Sequence, residues 1–233
     1  FNPTVAATGT TVISPTSSSY ATKSSYNTDF FTYGEDSGVR LVSAQGDLLL
    51  SNDRSRVDEI ALFVDEVYGT NTPNSMTGVY VYPGSLTAAA LNGNVAVGNT
   101  FALYPSSHGQ LHLLAHTDVV FEGGLSMSDV DTARLPTVGA PTKGFEVADS
   151  LLFTIQDTGE YHAPYLTHLG DADPVRVYAE TGSIEYLAYD EYGNARSDTL
   201  NFPKPVEFLA GRDIRDVSLT AQQLEAEQTS YIW

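Results

Sequence analysis

The 233-residue chain has no cysteine, a single tryptophan, and lysine only at Lys23, Lys143 and Lys204. Without cysteine there is no disulfide scaffold, iron–sulfur site, thiolate zinc site or cysteine nucleophile. Basic residues are scarce, 11 against 29 acidic ones, giving a formal net charge of −18. That balance excludes a general nucleic-acid-binding role, because phosphate contacts need a basic face. Long apolar runs are also missing. The longest, Ile60 to Val64, falls far short of the roughly 20 residues a spanning helix needs. No cationic stretch precedes an apolar one at the start, so no leader peptide is expected there. A hydrophobic content of 42% argues against wholesale disorder, and a chain of this length can bury a core unaided.

What is present is a particular kind of acidity. Aspartate outnumbers glutamate, and the carboxylates are dispersed from Asp29 to Glu227 rather than gathered into a tail. A dispersed acidic surface repels itself at ordinary salt. At molar salt the Debye length falls to about 3 Å and the repulsion is screened. Abundant aspartate with scarce lysine therefore reads as a halophilic protein; the plainer alternative is an ordinary acidic extracellular one.

Residues 1–28 are rich in serine and threonine, contain no acid and only Lys23 as a base, and read as an extended arm with Val12 and Ile13 as a short edge strand. Residues 29–233 then read as one domain. Short apolar segments alternate with Pro/Gly clusters: Val39–Val42, Asp47–Leu50, Gly78–Tyr82, Thr100–Tyr104, Leu111–Phe121, Phe145–Ile155, Val175–Glu180, Ile184–Tyr189 and Val206–Leu209. This punctuation predicts an all-β, antiparallel sandwich or barrel. Thr181-Gly182-Ser183 reads as a tight hairpin. Ile60–Val64 fits either a strand or a helix, with strand preferred. A capping box of Thr220 with Gln223, and a staple of Leu219 with Leu224, predict a short helix from Ala221 to Gln228. No internal repeat of solenoid or propeller period is visible. The stretches Ser85–Gly98 and Ser126–Lys143 read as exposed loops.

No catalytic constellation emerges, and no cofactor is expected. Asp36-Ser37-Gly38 and Asp157-Thr158-Gly159 resemble aspartic-protease tripeptides, but Gln156 and Glu160 give the second the wrong flanks, and turn chemistry accounts for both. His112 and His116 are four apart, but on a strand that separation is about 13 Å, too far to share an ion. A cupin-like metal stretch from Gly109 to Gly124 lacks the close histidine pair it needs. Asp129-Val130-Asp131 and Gly170-Asp171-Ala172-Asp173 are loop carboxylate pairs suited to solvation or to a loosely held cation. No phosphate-binding glycine loop or nucleophile elbow occurs. The 14 tyrosines suit sugar or base stacking, but equally strands and wet interfaces.

Three stretches carry a family resemblance: Arg56 to Asp65, Gly78-Val79-Tyr80-Val81-Tyr82-Pro83-Gly84, and Arg212 to Trp233. With the acidic, cysteine-free, β-rich composition, they resemble the larger major capsid protein of haloarchaeal icosahedral viruses with an internal membrane. The resemblance implies a vertical single jelly-roll barrel with a second small β-barrel inserted as a tower. It also implies a place in the virion capsid shell, beside copies of itself, a smaller single-barrel capsid partner and internal-membrane-associated virion proteins, with no catalysis and no direct nucleic-acid binding. Val12, Ile13, Tyr231, Ile232 and Trp233 are the expected interface residues, since an apolar cluster at a chain end gains little unless covered. The competing readings are a halophilic cell-surface binding module of β-sandwich type and a β-barrel enzyme or lectin.

Overall fold

One short pattern recurs at the places where the chain turns. Gly46-Asp47 precedes Leu48-Leu49-Leu50, and Gly93-Asn94 precedes Val95-Ala96-Val97. Thr117-Asp118 precedes Val119-Val120-Phe121, Gly182-Ser183 precedes Ile184-Glu185-Tyr186, and Arg212-Asp213 precedes Ile214-Arg215. Each is a turn with a small polar residue, followed by a strand whose alternate residues are apolar. In the computed structural model, which describes residues 31–51, 80–98, 100–135, 139, 162–187 and 199–233, these five turns stack on one another.

The strands are β1 (Gly38–Ser43), β2 (Leu48–Leu50), β3 (Tyr80–Tyr82), β4 (Ser85–Ala90), β5 (Val95–Val97), β6 (Phe101–Leu103), β7 (Leu111–Ala115), β8 (Val119–Phe121) and β9 (Leu125–Met127). They continue with β10 (Val175–Ala179), β11 (Ile184–Tyr186), β12 (Leu200–Phe202), β13 (Val206–Ala210), β14 (Ile214–Arg215), β15 (Leu219–Ala221) and β16 (Tyr231–Ile232). Every third strand joins the same sheet. One sheet runs β1-β4-β7-β10-β13-β16, a second β14-β11-β8-β5-β2 and a third β15-β12-β9-β6-β3. All pairings between these strands are parallel. The chain is thus a three-sided parallel β-solenoid, each coil laying one strand on each side.

Parallel register puts like positions in columns, and the columns make the core. Leu41, Ala88, Leu113, Val177, Phe208 and Ile232 form one inward column of the six-stranded sheet. Leu48, Val95, Val119, Ile184 and Ile214 form another in the second sheet. Middle-coil members such as Leu86, Leu113, Val119 and Val177 are wholly buried, whereas Val39, Leu41, Leu48, Ile214, Leu219 and Ala221 in the end coils are only partly so. A smaller cluster of Phe31, Val81, Ala102, Tyr104, Val130 and Leu135 lies outside this core.

The first corner is locked by side chains reaching from coil to coil. Asp47 Oδ1 accepts from Asn94 N (2.8 Å), Asn94 Oδ1 from Asp118 N (2.9 Å), and Asp118 Oδ1 from Ser183 N (2.7 Å). The coils approach too closely here for a side chain at some positions. A Cβ on Gly93 would lie 2.4 Å from the Gly46 carbonyl carbon, and one on Gly182 2.2 Å from Asp118 Oδ1.

Several expectations are corrected. The fold is not an antiparallel jelly roll: turn residues that punctuate hairpins also punctuate solenoid corners, and the sequence spacing does not distinguish them. Thr181-Gly182-Ser183 is such a corner, joining β10 to β11 in different sheets. Leu111–Phe121 is two strands, β7 and β8, broken at His116–Asp118. Ser85–Gly98 is not an exposed loop but carries β4 and β5 in the centre of the core, and Ser126 lies within β9. The helix from Ala221 to Gln228 is absent. Leu219–Ala221 instead pairs with Leu200–Phe202, because strand pairing and burial of Leu219 outweigh a local cap. A solenoid repeat does exist. Val12, Ile13, Ile60–Val64 and Phe145–Ile155 lie outside the described residues.

Candidate functional site

The outer face of the six-stranded sheet carries a polar row set by register: Arg40, Thr87, His112, Arg176, Glu207 and Tyr231. Arg176 binds its neighbours on three sides. Its Nη1 lies 3.1 Å from His112 Nε2, its Nε 3.4 Å from Glu207 Oε2 and its Nη2 3.7 Å from Asp173 Oδ1. Tyr178 OH donates to Glu207 Oε2 at 2.5 Å. Burial, helped by the Arg176 charge, pushes the His112 imidazole below its ordinary pKa, so it stays neutral and Nε2 accepts from the guanidinium. These groups are spent on one another; the row fastens coils together. His112 and His116 do not converge: His116 Nδ1 pairs with Glu180 Oε2 at 3.0 Å.

A second cluster ties residues 168–171, which precede β10, to the solenoid. Lys204 is fully buried just before β13, and Asp171 is its counter-charge. The ammonium donates to Asp171 Oδ2 (2.5 Å), Gly109 O (3.1 Å) and Gln110 Oε1 (3.1 Å), which uses all three donors. His168, also buried, lies 3.1 Å from Asp171 Oδ2 through Nδ1. Burial pushes His168 down to about 4, the Lys204 charge adding to it and Asp171 opposing it. Burial would raise the Asp171 carboxyl, but the hydrogen bond and charge of Lys204 outweigh it and hold it below its ordinary value. Burial likewise depresses the Lys204 ammonium against the pull of Asp171.

The loop carboxylates, read from sequence as suited to solvation or to a loosely held cation, are engaged by protein groups: Asp171 by Lys204, Asp173 by Arg176, and Asp129 by His162 at 2.6 Å. Asp131 caps a 3₁₀ turn at Thr132–Arg134 by accepting from Ala133 N. Among the described residues no three or more histidine or carboxylate side chains are placed to hold a metal ion. Asp36 of the first protease-like tripeptide sits at an exposed turn, 3.3 Å from His108 Nδ1, and Asp157 lies outside the described residues.

The predicted cluster at Tyr231, Ile232 and Trp233 forms the last rung of the six-stranded sheet. Trp233 N donates to Phe208 O (2.9 Å) and Ala210 N to Trp233 O (3.1 Å), so the backbone is stitched onto β13. The side chains are not covered. Ile232 occupies an inward column beyond the fully buried Phe208, yet is 55% exposed, and Trp233 is 77% exposed. Asp213 holds the corner place of Asp47, Asn94 and Asp118, its carbonyl accepting from Ile184 N. At the opposite end β1, β2 and β3 are unpaired on their outer edges among the described residues, and Leu49 is 61% exposed. Sequence reasoning located the apolar tail but missed the corner ladder and the Lys204 cluster. The glycine- or threonine-preceded Asx turns were the available signal for the ladder.

No family model, curated protein or solved structure matches the chain.

Proposed function

We propose that this protein is a structural assembly element, not an enzyme, and that its working surface is the end of the solenoid. The observation that carries this is Ile232: an inward position of the outermost described rung that is more than half exposed. A solenoid coil is stabilised by its neighbours, and an apolar inward position exposed on an outer rung is a surface that another coil can cover. The edges of β14, β15 and β16 offer backbone groups to a parallel partner, and an unblunted sheet edge is a template for strand addition. The head edge of a second copy fits, since β1 and β2 bring Leu41 and Leu48 in the same inward columns as Ile232 and Ile214. Such a head-to-tail contact is heterologous, so it propagates into a linear array.

The assembly role implied by the resemblance is proposed with a different geometry. The shell beside a smaller single-barrel partner was implied with a jelly roll, which this chain does not form; the exposed end supports assembly along the solenoid axis. A net charge of −18 opposes end-to-end approach at low salt, so association should strengthen as salt rises.

Sedimentation velocity over a concentration series in low and molar KCl, with negative-stain microscopy, tests this. Linear oligomers that grow with concentration and salt, and are lost in Ile232→Lys, are expected. A wild-type chain that stays monomeric under every condition would refute the reading, and closed shells would favour the capsid geometry instead.

A further inference from the structure

The six-stranded sheet carries a second outward row beside the polar one. Two positions further along each strand, the parallel register lines up Val42, Ala89, Leu114, Tyr178, Leu209 and Trp233. Apart from the Tyr178 hydroxyl, which is bound to Glu207, this row is apolar. It is also open to solvent. Val42 is 52% exposed and Trp233 77%, while Leu114, Tyr178 and Leu209 are half-buried. A continuous apolar stripe on the outward face of a sheet marks an interaction surface.

Two features of this face fit it to a second copy of the chain. The first is charge. The sequence has 29 acidic residues against 11 basic ones, yet the outward strand positions of this sheet carry Arg40 and Arg176 against Glu207 alone. The second is a gradient of size along the stripe. It begins with Val42 and Ala89, the latter small and only 7% exposed, and ends with Tyr178, Leu209 and Trp233. Turning one copy end for end, about a two-fold axis along the strands, sets β1 over β16, β4 over β13 and β7 over β10. Small then meets large: Val42 faces Trp233, Ala89 faces Leu209 and Leu114 faces Tyr178.

The same rotation lays polar row on polar row. Arg40, which makes no ion pair among the described residues, meets the ring of Tyr231, itself 48% exposed. Thr87 brings a hydroxyl donor to Glu207, and His112 faces Arg176, a pairing the two already make within one chain. A two-fold axis along the solenoid would instead set polar row on apolar stripe, burying Arg40 against Val42 and Glu207 against Leu209. We propose that this face is a dimerisation surface on which two copies pack with their coil orders reversed, strands aligned and sheets about 10 Å apart. Such a contact is isologous and closes at two copies. It uses outward side chains, so it is independent of the end-to-end contact, which uses inward columns and strand edges.

Sedimentation velocity of the Ile232→Lys chain in molar KCl isolates this contact, since that variant is expected not to extend end to end. A concentration-dependent dimer should remain. Adding Leu114→Lys should weaken it at least about tenfold, and Val42→Lys, at a more exposed position, should do the same with an unchanged far-ultraviolet spectrum. The cysteine-free chain accepts a single spin label, at Ala44→Cys or at Thr181→Cys, both on exposed corners. Reversed coil order puts Ala44 five strand spacings from its mate along the axis and Thr181 only one. The Ala44 distance, read by electron paramagnetic resonance, should therefore exceed the Thr181 distance by more than about 10 Å. An end-to-end contact gives both labels the same distance. An Ile232→Lys chain that stays monomeric at every concentration, a dimer indifferent to both lysine substitutions, or equal label distances would each overturn the proposal.

Discussion

Replacing Lys204 by methionine should be the most damaging single change that keeps side-chain volume. The ammonium is fully buried and gives its three donors to Asp171, Gly109 O and Gln110 Oε1. Methionine fills nearly the same space, so the cavity left is small. What remains is a carboxylate out of water without its cation, and two acceptors without a donor. Breaking a buried pair from one side costs about 3–5 kcal/mol. At about 2–4 °C per kcal/mol for a domain of this size, the thermal midpoint should fall by roughly 6–20 °C. Urea unfolding followed by far-ultraviolet circular dichroism measures the loss. The double variant Lys204→Met with Asp171→Asn supplies the decisive comparison. Removing the stranded charge should make it more stable than Lys204→Met alone, with a coupling energy above about 1 kcal/mol. The reasoning is refuted if Lys204→Met costs under about 1 kcal/mol, or if the two substitutions simply add.

Other outcomes follow from the same structure. Since His168 is held down at about 4 against an ordinary 6.5, the unfolded chain binds more protons between those values, so stability should rise with pH across that window by about 3 kcal/mol. Asp171, depressed below its ordinary value, loses its contribution only at still lower pH, as it protonates; His168→Gln should flatten the pH 4 to 6.5 part of a denaturation series and leave the lower part. Gly182→Ala forces a Cβ to 2.2 Å from Asp118 Oδ1 and 2.7 Å from Thr117 backbone, so a loss of about 1–3 kcal/mol is expected in urea melts, whereas Gly34→Ala, with open space around it, should be close to neutral. Thermal midpoints measured from low to multimolar NaCl should climb as the −18 charge is screened; a flat or falling curve would contradict the halophilic interpretation.

Much of the local structure was legible. Val39–Val42, Val175–Glu180 and Val206–Leu209 were readable as strands because period-two burial is written in side-chain type, and β1, β10 and β13 occupy those stretches. The repeat was not. Its corner residues stand at 47, 94, 118, 183 and 213, and the step from 94 to 118 is less than half that from 118 to 183. Uneven intervals between strands erase the period, while the register of the stacked coils stays strict.

What the sequence determined by itself was the alternation that makes strands, the turn residues that end them, and a net charge of −18. These are properties of a few neighbouring residues or of composition, and the chain states them wherever they occur. Partner and direction of pairing were decided only in three dimensions. A short apolar strand bounded by Gly and Asx pairs equally well with an antiparallel neighbour across a hairpin or a parallel one a full coil away. The choice fell to the parallel partner where Asp47, Asn94 and Asp118 find the next coil's N–H and the inward columns close over Leu113 and Val177. The cluster of Lys204, Asp171, His168 and Gln110 was equally invisible, because its members stand up to 94 positions apart in sequence and meet only in the tertiary structure.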